Sequence, residues 1–280
     1  MRFKAKIMKE NLMTFSSVLG VLERISSVGV VYLNEECIRV SVVTESPDTP
    51  KVFCELNHQS LFFEYRIESQ SSNAILIEVE MDLLLRALAS GKQVPQCQLK
   101  LVKRGARPFL CFESKAQGAI DITHDIPIRV LKPSDIIYYL PPEMSPPSVS
   151  LELPRGKLMK TIVDRISKIS KYLHIDAEQS GKVIFRVENS LVTIKTYYTG
   201  LTPRFEVLNR DRDIGNSASV KLDVRRLSTV LNVQHISLLN AVMYISDDEA
   251  FVLHVTLSPN DVGTLTFYVP VVMESLGFDR

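Results

Sequence analysis

The chain has 280 residues, 45% apolar and 23% charged, a composition that supports a folded core and a length that accommodates two ordinary domains. Its formal net charge of +1 leaves any affinity for a polyanion to a local patch. No run of about 18 apolar residues offers a helical membrane span.

The N-terminus alternates charge with apolar side chains: Phe3, Ala5 and Ile7 on one face, Arg2, Lys4 and Lys6 on the other. That is a strand pattern with no secretory apolar region. A helix is predicted over residues 10–26, where Leu12, Phe15, Val18, Leu19, Leu22 and Ile25 form one apolar stripe. Strands follow at 28–33, 37–43 and 52–56, with a turn at Ser46-Pro47-Asp48-Thr49-Pro50 between the last two. After a short segment at 58–62 come strands at 63–68 and 75–81. A helix over 82–90 carries Leu84, Leu85 and Leu88, with Gly91 placed to cap it. Strands at 98–103, 109–113 and 120–128 complete this half.

Residues 131–147 contain five prolines, which favours an extended connector. Its apolar group Ile136-Ile137-Tyr138-Tyr139-Leu140 is expected to lie on a surface. The pattern then restarts. Val149, Leu151 and Leu153 alternate as a strand, a helix is predicted over 155–171, and strands follow at 173–177, 183–187 and 191–197. Residues 199–218 read as a long mobile loop. A strand at 220–224 leads into a helix over 225–233, and strands at 241–246, 250–256 and 264–272 end the pattern.

The second half repeats the first. Ile77, Val79, Met81, Leu84 and Leu88 precede Val220, Leu222, Val224, Leu227 and Leu231 by one constant offset, which also maps Pro127-Ile128 onto Pro270-Val271. Shared element order over the whole length points to duplication. The expected architecture is α+β: two tandem domains, each strand-helix-strands-helix-strands, at 1–130 and 148–280, joined by the connector 131–147.

The predicted helix 155–171 concentrates charge. Lys157, Lys160, Arg165, Lys168 and Lys171 fall on one side at about 100° per residue. Leu158, Met159, Ile162, Ile166 and Ile169 fall on the other. Glu is absent, so the Glu–Lys pairs that usually support an exposed helix are missing. Such a face suits an anionic partner, with phosphate the obvious candidate. Arg24, Arg86 and Arg225 add single cations on the other helices. No zinc-finger, helix-turn-helix or RNP-type signature accompanies them, so backbone contact without sequence readout is expected.

Nothing assembles into a catalytic or metal site. His124 and Asp125 are adjacent on a strand and point to opposite faces. Asp247-Asp248-Glu249 reads as a hairpin turn. Cys37, Cys54, Cys97 and Cys111 are widely spaced in apolar runs and read as reduced core thiols. No cofactor or metal is expected.

The two-fold repeat with its long connector resembles the sliding-clamp fold of PCNA. Residues 1–7 and Thr123-His124-Asp125-Ile126-Pro127-Ile128-Arg129-Val130 resemble, more closely, the Hus-one family of the heterotrimeric DNA-damage checkpoint clamp. The resemblance implies a non-enzymatic subunit of a ring around duplex DNA in the nucleus. Its implied partners are Rad-nine-like and Rad-one-like subunits, a clamp loader, and clamp-binding peptides of repair proteins. The four helices would line the ring, turning Lys157, Lys160, Arg165, Lys168, Lys171, Arg24, Arg86 and Arg225 toward phosphates. Ile128, Val130, Leu131, Ile136 and Ile137 would roof a peptide groove with Phe267, Val269 and Pro270 in its floor. Strands at 109–115 and 191–198 would be the outer edges that join neighbours. A PCNA-like homotrimeric processivity clamp is the alternative; a β-rich enzyme lacks any convergent set of reactive residues.

Overall fold

The structure is a computed structural model describing residues 1–115, 121–154, 156–189, 192–204, 217–258 and 262–273. The chain forms two compact units. One comprises Met1–Thr44, Lys51–Pro141 and Thr256–Leu265; the other comprises Glu45–Pro50, Pro142–Val255 and Thr266–Arg280.

In chain order the elements are β1 (Arg2–Met8), α1 (Lys9–Glu23), β2 (Val28–Leu33), β3 (Ile38–Val42), β4 (Lys51–Leu56), α2 (His58–Leu61), β5 (Phe62–Glu68), β6 (Ile75–Glu80), α3 (Met81–Ser90), β7 (Gln96–Arg104), β8 (Arg107–Lys115) and β9 (Asp121–Leu131). A 3-10 segment at Pro133–Tyr139 follows. Then come β10 (Val149–Glu152), α4 (Leu158–Ile166), β11 (Tyr172–Glu178), β12 (Lys182–Glu188), β13 (Thr193–Tyr198), β14 (Ser217–Asp223), α5 (Val224–Val230), a 3-10 segment at Leu231–His235, β15 (Leu238–Ser246), β16 (Ala250–Leu257) and β17 (Gly263–Val269).

The first unit orders its strands β4-β3-β2-β6-β9-β8-β7-β1-β5. Its strands pair antiparallel, and β9 is the strand around which they turn. Its first part, Asp121 to Pro127, pairs with β8, and its last part, Ile128 to Leu131, pairs with β6. Pro127, which has no N–H to give a ladder, stands where the partner changes. Helices α1 and α3 pack side by side. α1 buries Leu12, Phe15, Val18, Leu19, Val21 and Leu22, and α3 buries Met81, Leu84, Ala87 and Leu88. Gly91 ends α3 with φ of −84°, so it is not a left-handed cap. Close approach explains it instead: a Cβ there would lie 2.6 Å from Cys97 Sγ and 2.7 Å from the Phe112 ring.

The second unit holds the sheet β13-β12-β11-β14 and the strands β10 and β15, with β16 up to Val255 and β17 from Thr266. Helices α4 and α5 pack together as α1 and α3 do. The repeat is visible in the core. Ile77, Val79, Met81, Leu84 and Leu88 are buried, and so are Val220, Leu222, Val224, Leu227 and Leu231. It also reaches the sheet edges. β5 covers β1, and the segment at Thr202–Arg204 covers β10 through Glu152 N–H to the Thr202 carbonyl (2.9 Å) and Arg204 N–H to the Ser150 carbonyl (2.9 Å). Most of the loop expected at 199–218 lies outside the described residues; its described start is tied down by this pairing.

Two other expectations change. The helix predicted over 155–171 is shorter, ending at Ile166. The Ser167 hydroxyl turns back to the Asp164 carbonyl (2.8 Å) and Ser170 Oγ bonds both the N–H and the carbonyl of Tyr172, the local competition by which serine ends helices. The connector also divides: residues up to Pro141 pack with the first unit and those from Pro142 with the second. Ser41 Oγ holds its 3-10 segment by donating to the Tyr139 carbonyl (2.8 Å).

All four cysteines are buried and free. Burial pushes the Cys97 and Cys111 thiols up to about 11, far from a reactive thiolate. Among the described residues no group of His, Cys, Asp and Glu could hold a metal ion, and no helix is long and apolar enough to cross a membrane. Asp247–Glu249 forms the β15–β16 turn, with Asp248 at positive φ.

Candidate nucleic-acid surface and docking cleft

In the second unit basic residues flank α4 at both ends and open α5. Lys157 sits at the N-cap of α4, Arg165 on its last turn, Lys168 and Lys171 in the turn that follows, and Arg225 on the first turn of α5; all five are exposed. Lys168, Lys171 and Arg225 share a cleft of about 360 Å³ with Ser167, Ile169, Ser170 and Asp223. Asp223 belongs there for a structural reason. It caps α5, accepting from the N–H groups of Arg225 (2.9 Å) and Arg226 (3.3 Å). Tyr172 gathers two ammonium groups, that of Lys171, with Nζ 5.0 Å from its ring centre, and that of Lys221, at 5.5 Å. An aromatic face tolerates such cations; their mutual repulsion is relieved by an anion.

Lys160 departs from the expected face. It is a buried residue, with Nζ held by Asp164 Oδ1 (2.5 Å) and Oδ2 (2.6 Å) and by Ser228 Oγ (3.1 Å); Ser228 Oγ in turn donates to Asp164 (2.6 Å). This three-residue network clips α4 to α5. The apolar stripe shifts with it: Met159, Val163 and Ile166 are buried, whereas Leu158 is 63% exposed and Ile169 also faces solvent.

Burial alone would raise the Asp164 carboxyl, but Lys160 and Ser228 outweigh it and hold it below the usual carboxylate range. Because the folded value lies below the unfolded one, the clip's stability is present above the ordinary Asp value and is lost as pH falls through the lowered value. Lys160→Met is expected to destabilise the chain by about 1–2 kcal/mol at neutral pH, read as a lower urea midpoint at constant m, with a flatter acid limb. An unchanged midpoint would show the clip to be idle.

The first unit offers less charge. Arg24 caps the C-terminus of α1 and is exposed. Arg86 is exposed on α3 but already bound to Asp82 one turn earlier, at 3.0 and 2.8 Å.

The expected groove residues separate by burial. In the first unit Val130 and Ile137 are exposed, Leu131 and Ile136 half-buried, and Ile128 buried. In the second, Phe267 and Val269 are sealed in the core and only Pro270 is partly open, so the first two cannot line a groove floor. The alternation of a strand explains this: Leu265, Phe267 and Val269 face inward, and Thr266 and Tyr268 face out. The outward residues do line a cleft, of about 350 Å³. Met144, Pro146 and Pro147 form one wall, with Val252, His254 and Tyr268 opposite. His254 Nδ1 meets Thr266 Oγ1 at 2.9 Å, and burial lowers its pKa, keeping the ring neutral and the cleft uncharged.

Strand 109–115 is likewise not an edge, because β8 is paired on both sides, to β7 and β9. The open edge lies one strand further on. Among the described residues β9 has no second partner along Asp121 to Pro127. In the second unit β13 pairs, among the described residues, with β12 alone, as expected for the strand at 191–198, whose residue 191 lies outside the described residues. His124 and Asp125 lie on the open stretch of β9. Asp125 binds Arg104, which holds its carboxyl below the usual range, and His124 packs by Phe112.

These features have close counterparts in known proteins. A checkpoint protein hus1 homolog of Dictyostelium discoideum is 28% identical over 98% of this chain and all of that protein. The human checkpoint protein HUS1 is 25% identical, over 97% of this chain and all of its own length. Among solved structures, PCNA from Thermococcus kodakaraensis matches with a TM-score of 0.70 at 18% identity, covering 96% of this chain and all of that one; it shows the fold, two tandem PCNA-like domains. The family model described as Hus1-like protein matches residues 1–273, and with that near-complete match the chain belongs to the Hus1-like protein family.

Proposed function

We propose that this chain is a non-enzymatic subunit of a heterotrimeric ring that encircles DNA at damage sites and recruits checkpoint and repair proteins. The observation that carries the reading is the family match over 1–273 in a chain whose described residues include an open strand edge in each unit, on β9 and on β13. Open edges are a liability unless covered, and strand addition by Rad-nine-like and Rad-one-like neighbours covers both. Lys157, Arg165, Lys168, Lys171 and Arg225, assisted by Arg24 and Arg86, meet duplex phosphates without reading sequence. A clamp loader places the ring, and the work is done in the nucleus.

The test is assembly. Light scattering of the isolated chain is expected to give a monomer, and mixing with Rad-nine-like and Rad-one-like chains a 1:1:1 complex. A stable trimer of this chain alone would establish the PCNA-like homotrimeric alternative.

The cleft beside Tyr268 is assigned to an apolar side chain of a clamp-binding peptide. Tyr268→Ala is expected to weaken a fluorescent clamp-binding peptide by about tenfold in an anisotropy titration, the usual loss for a buried aromatic contact. Equal affinity would remove the cleft from recruitment.

A further inference from the structure

The turn between β3 and β4 has a composition that neither the fold nor the basic surface requires. Ser46-Pro47-Asp48-Thr49-Pro50 places two hydroxyl residues directly before prolines. Thr49 N–H closes the turn on the Ser46 carbonyl (3.2 Å), and Pro47, with its fixed φ, occupies the position such turns favour for proline. Ser46, Pro47 and Asp48 are exposed, Thr49 is half-buried and Pro50 is buried. The turn belongs to the second unit. There Asp48 reaches the Arg226 guanidinium at 3.4 Å. Arg226 follows Arg225 on α5. It also lies close enough to Lys171 for its charge to lower the Lys171 pKa, against the hydrogen bond that Lys171 donates to Tyr172, which raises it.

We propose that Ser46 is a phosphorylation site for a proline-directed serine/threonine kinase, and that its phosphate, paired with Arg226, weakens the hold of the basic surface on DNA. The second half rests on the DNA reading given above. Accessibility selects the residue. A kinase that reads the proline after its acceptor can reach Pro47, whereas Pro50, behind Thr49, is inside the core. In the transfer, Ser46 Oγ attacks the γ-phosphorus of ATP, the bond to the β-phosphate oxygen breaks, ADP leaves, and the hydroxyl proton passes to the kinase base. The product carries about −1.5 to −2 charge at pH 7. A phosphate, with more charge than a carboxylate and three acceptor oxygens, pairs with a guanidinium through charge-assisted hydrogen bonds. Standing two residues before Asp48 in one turn, it is offered to the same Arg226. The added charge then sits beside Arg225 and Lys171, where it repels the DNA phosphates those residues would meet.

The experiment uses the full chain assembled with its partner subunits. The complex is treated with a cyclin-dependent-class kinase and magnesium-ATP, the sites are mapped by mass spectrometry, and affinity for end-blocked duplex DNA is titrated at several salt concentrations. Phosphate is expected on Ser46, absent from Ser46→Ala, with affinity lowered about five- to tenfold at 0.1 M salt and converging with the unmodified complex as salt rises. A kinase that modifies a control peptide but leaves Ser46 unmodified overturns the proposal, as does a Ser46-phosphorylated complex with unchanged affinity. An unmodified complex with no salt-dependent affinity removes the DNA reading itself and, with it, the second half of this proposal.

Discussion

Replacing Lys157, Lys168 and Lys171 together by alanine is expected to lower the affinity of the assembled clamp for duplex DNA by about 100-fold at 0.1 M salt and to flatten its salt dependence by about 2.7 in log–log slope. The slope is the more telling quantity. Each phosphate contact releases condensed counterions, and log K falls by about 0.9 per contact for each tenfold rise in salt, so three lost contacts cost most in dilute salt and almost nothing near 1 M. The three side chains are exposed and lie at or beyond the ends of α4, so their removal leaves Met159, Val163 and Ile166 in the core untouched. Circular dichroism and the urea midpoint should therefore match the parent. A titration on end-blocked duplex reads the result. Parallel salt plots for parent and variant would mean that this surface does not touch DNA.

Lys160 is left out of that variant because its charge is neutralised where it stands. The sequence did hold a clue: Asp164 lies one helical turn beyond Lys160, the spacing of an intrahelical ion pair. What a linear pattern does not contain is Ser228, brought to the same carboxylate by α5. A row of lysines at helical spacing thus divides into one that holds two helices together and others that remain available to a ligand. The division depends on Ser228, 68 positions beyond Lys160.

The repeat was legible because burial follows period in both elements. Alternating residues fill one face of β6 and β14, and residues at helical spacing fill one side of α3 and α5, so five positions match in both halves. Parity was harder at β17. Phe267, Tyr268 and Val269 are all large and apolar or aromatic, and a one-residue slip exchanges core for surface. Thr264 and Thr266, polar members of the outward set, fix the parity. Neither the edges nor the end of α4 could be read from pattern. β8 and β9 both look like strands, and only the pairing of β9 with β8 and then β6 shows which keeps a free side. The helix ends early because Ser167 and Ser170 bond the local backbone, an event that leaves the lysine spacing undisturbed.

That free side leads to the second large effect. Ile122→Asp on β9 is expected to weaken association with one neighbouring subunit by about 30- to 150-fold, or about 2–3 kcal/mol, while leaving the other neighbour bound; Tyr197→Asp on β13 should do the reverse. The two side chains are 38% and 59% exposed and flank edges that, among the described residues, lack a second strand. A neighbour that continues the sheet buries them beside its own side chains, and an unpaired carboxylate in that position must be desolvated. The isolated variants should keep the parent's spectrum and melting behaviour. Pairwise size-exclusion runs with each neighbour read the outcome. Two separate losses follow only if β9 and β13 meet different proteins. In a homotrimer β9 of one copy meets β13 of the next, so either substitution alone would abolish self-assembly. Loss of both neighbours from one substitution, or of neither, would contradict edge pairing as the way this subunit joins its ring.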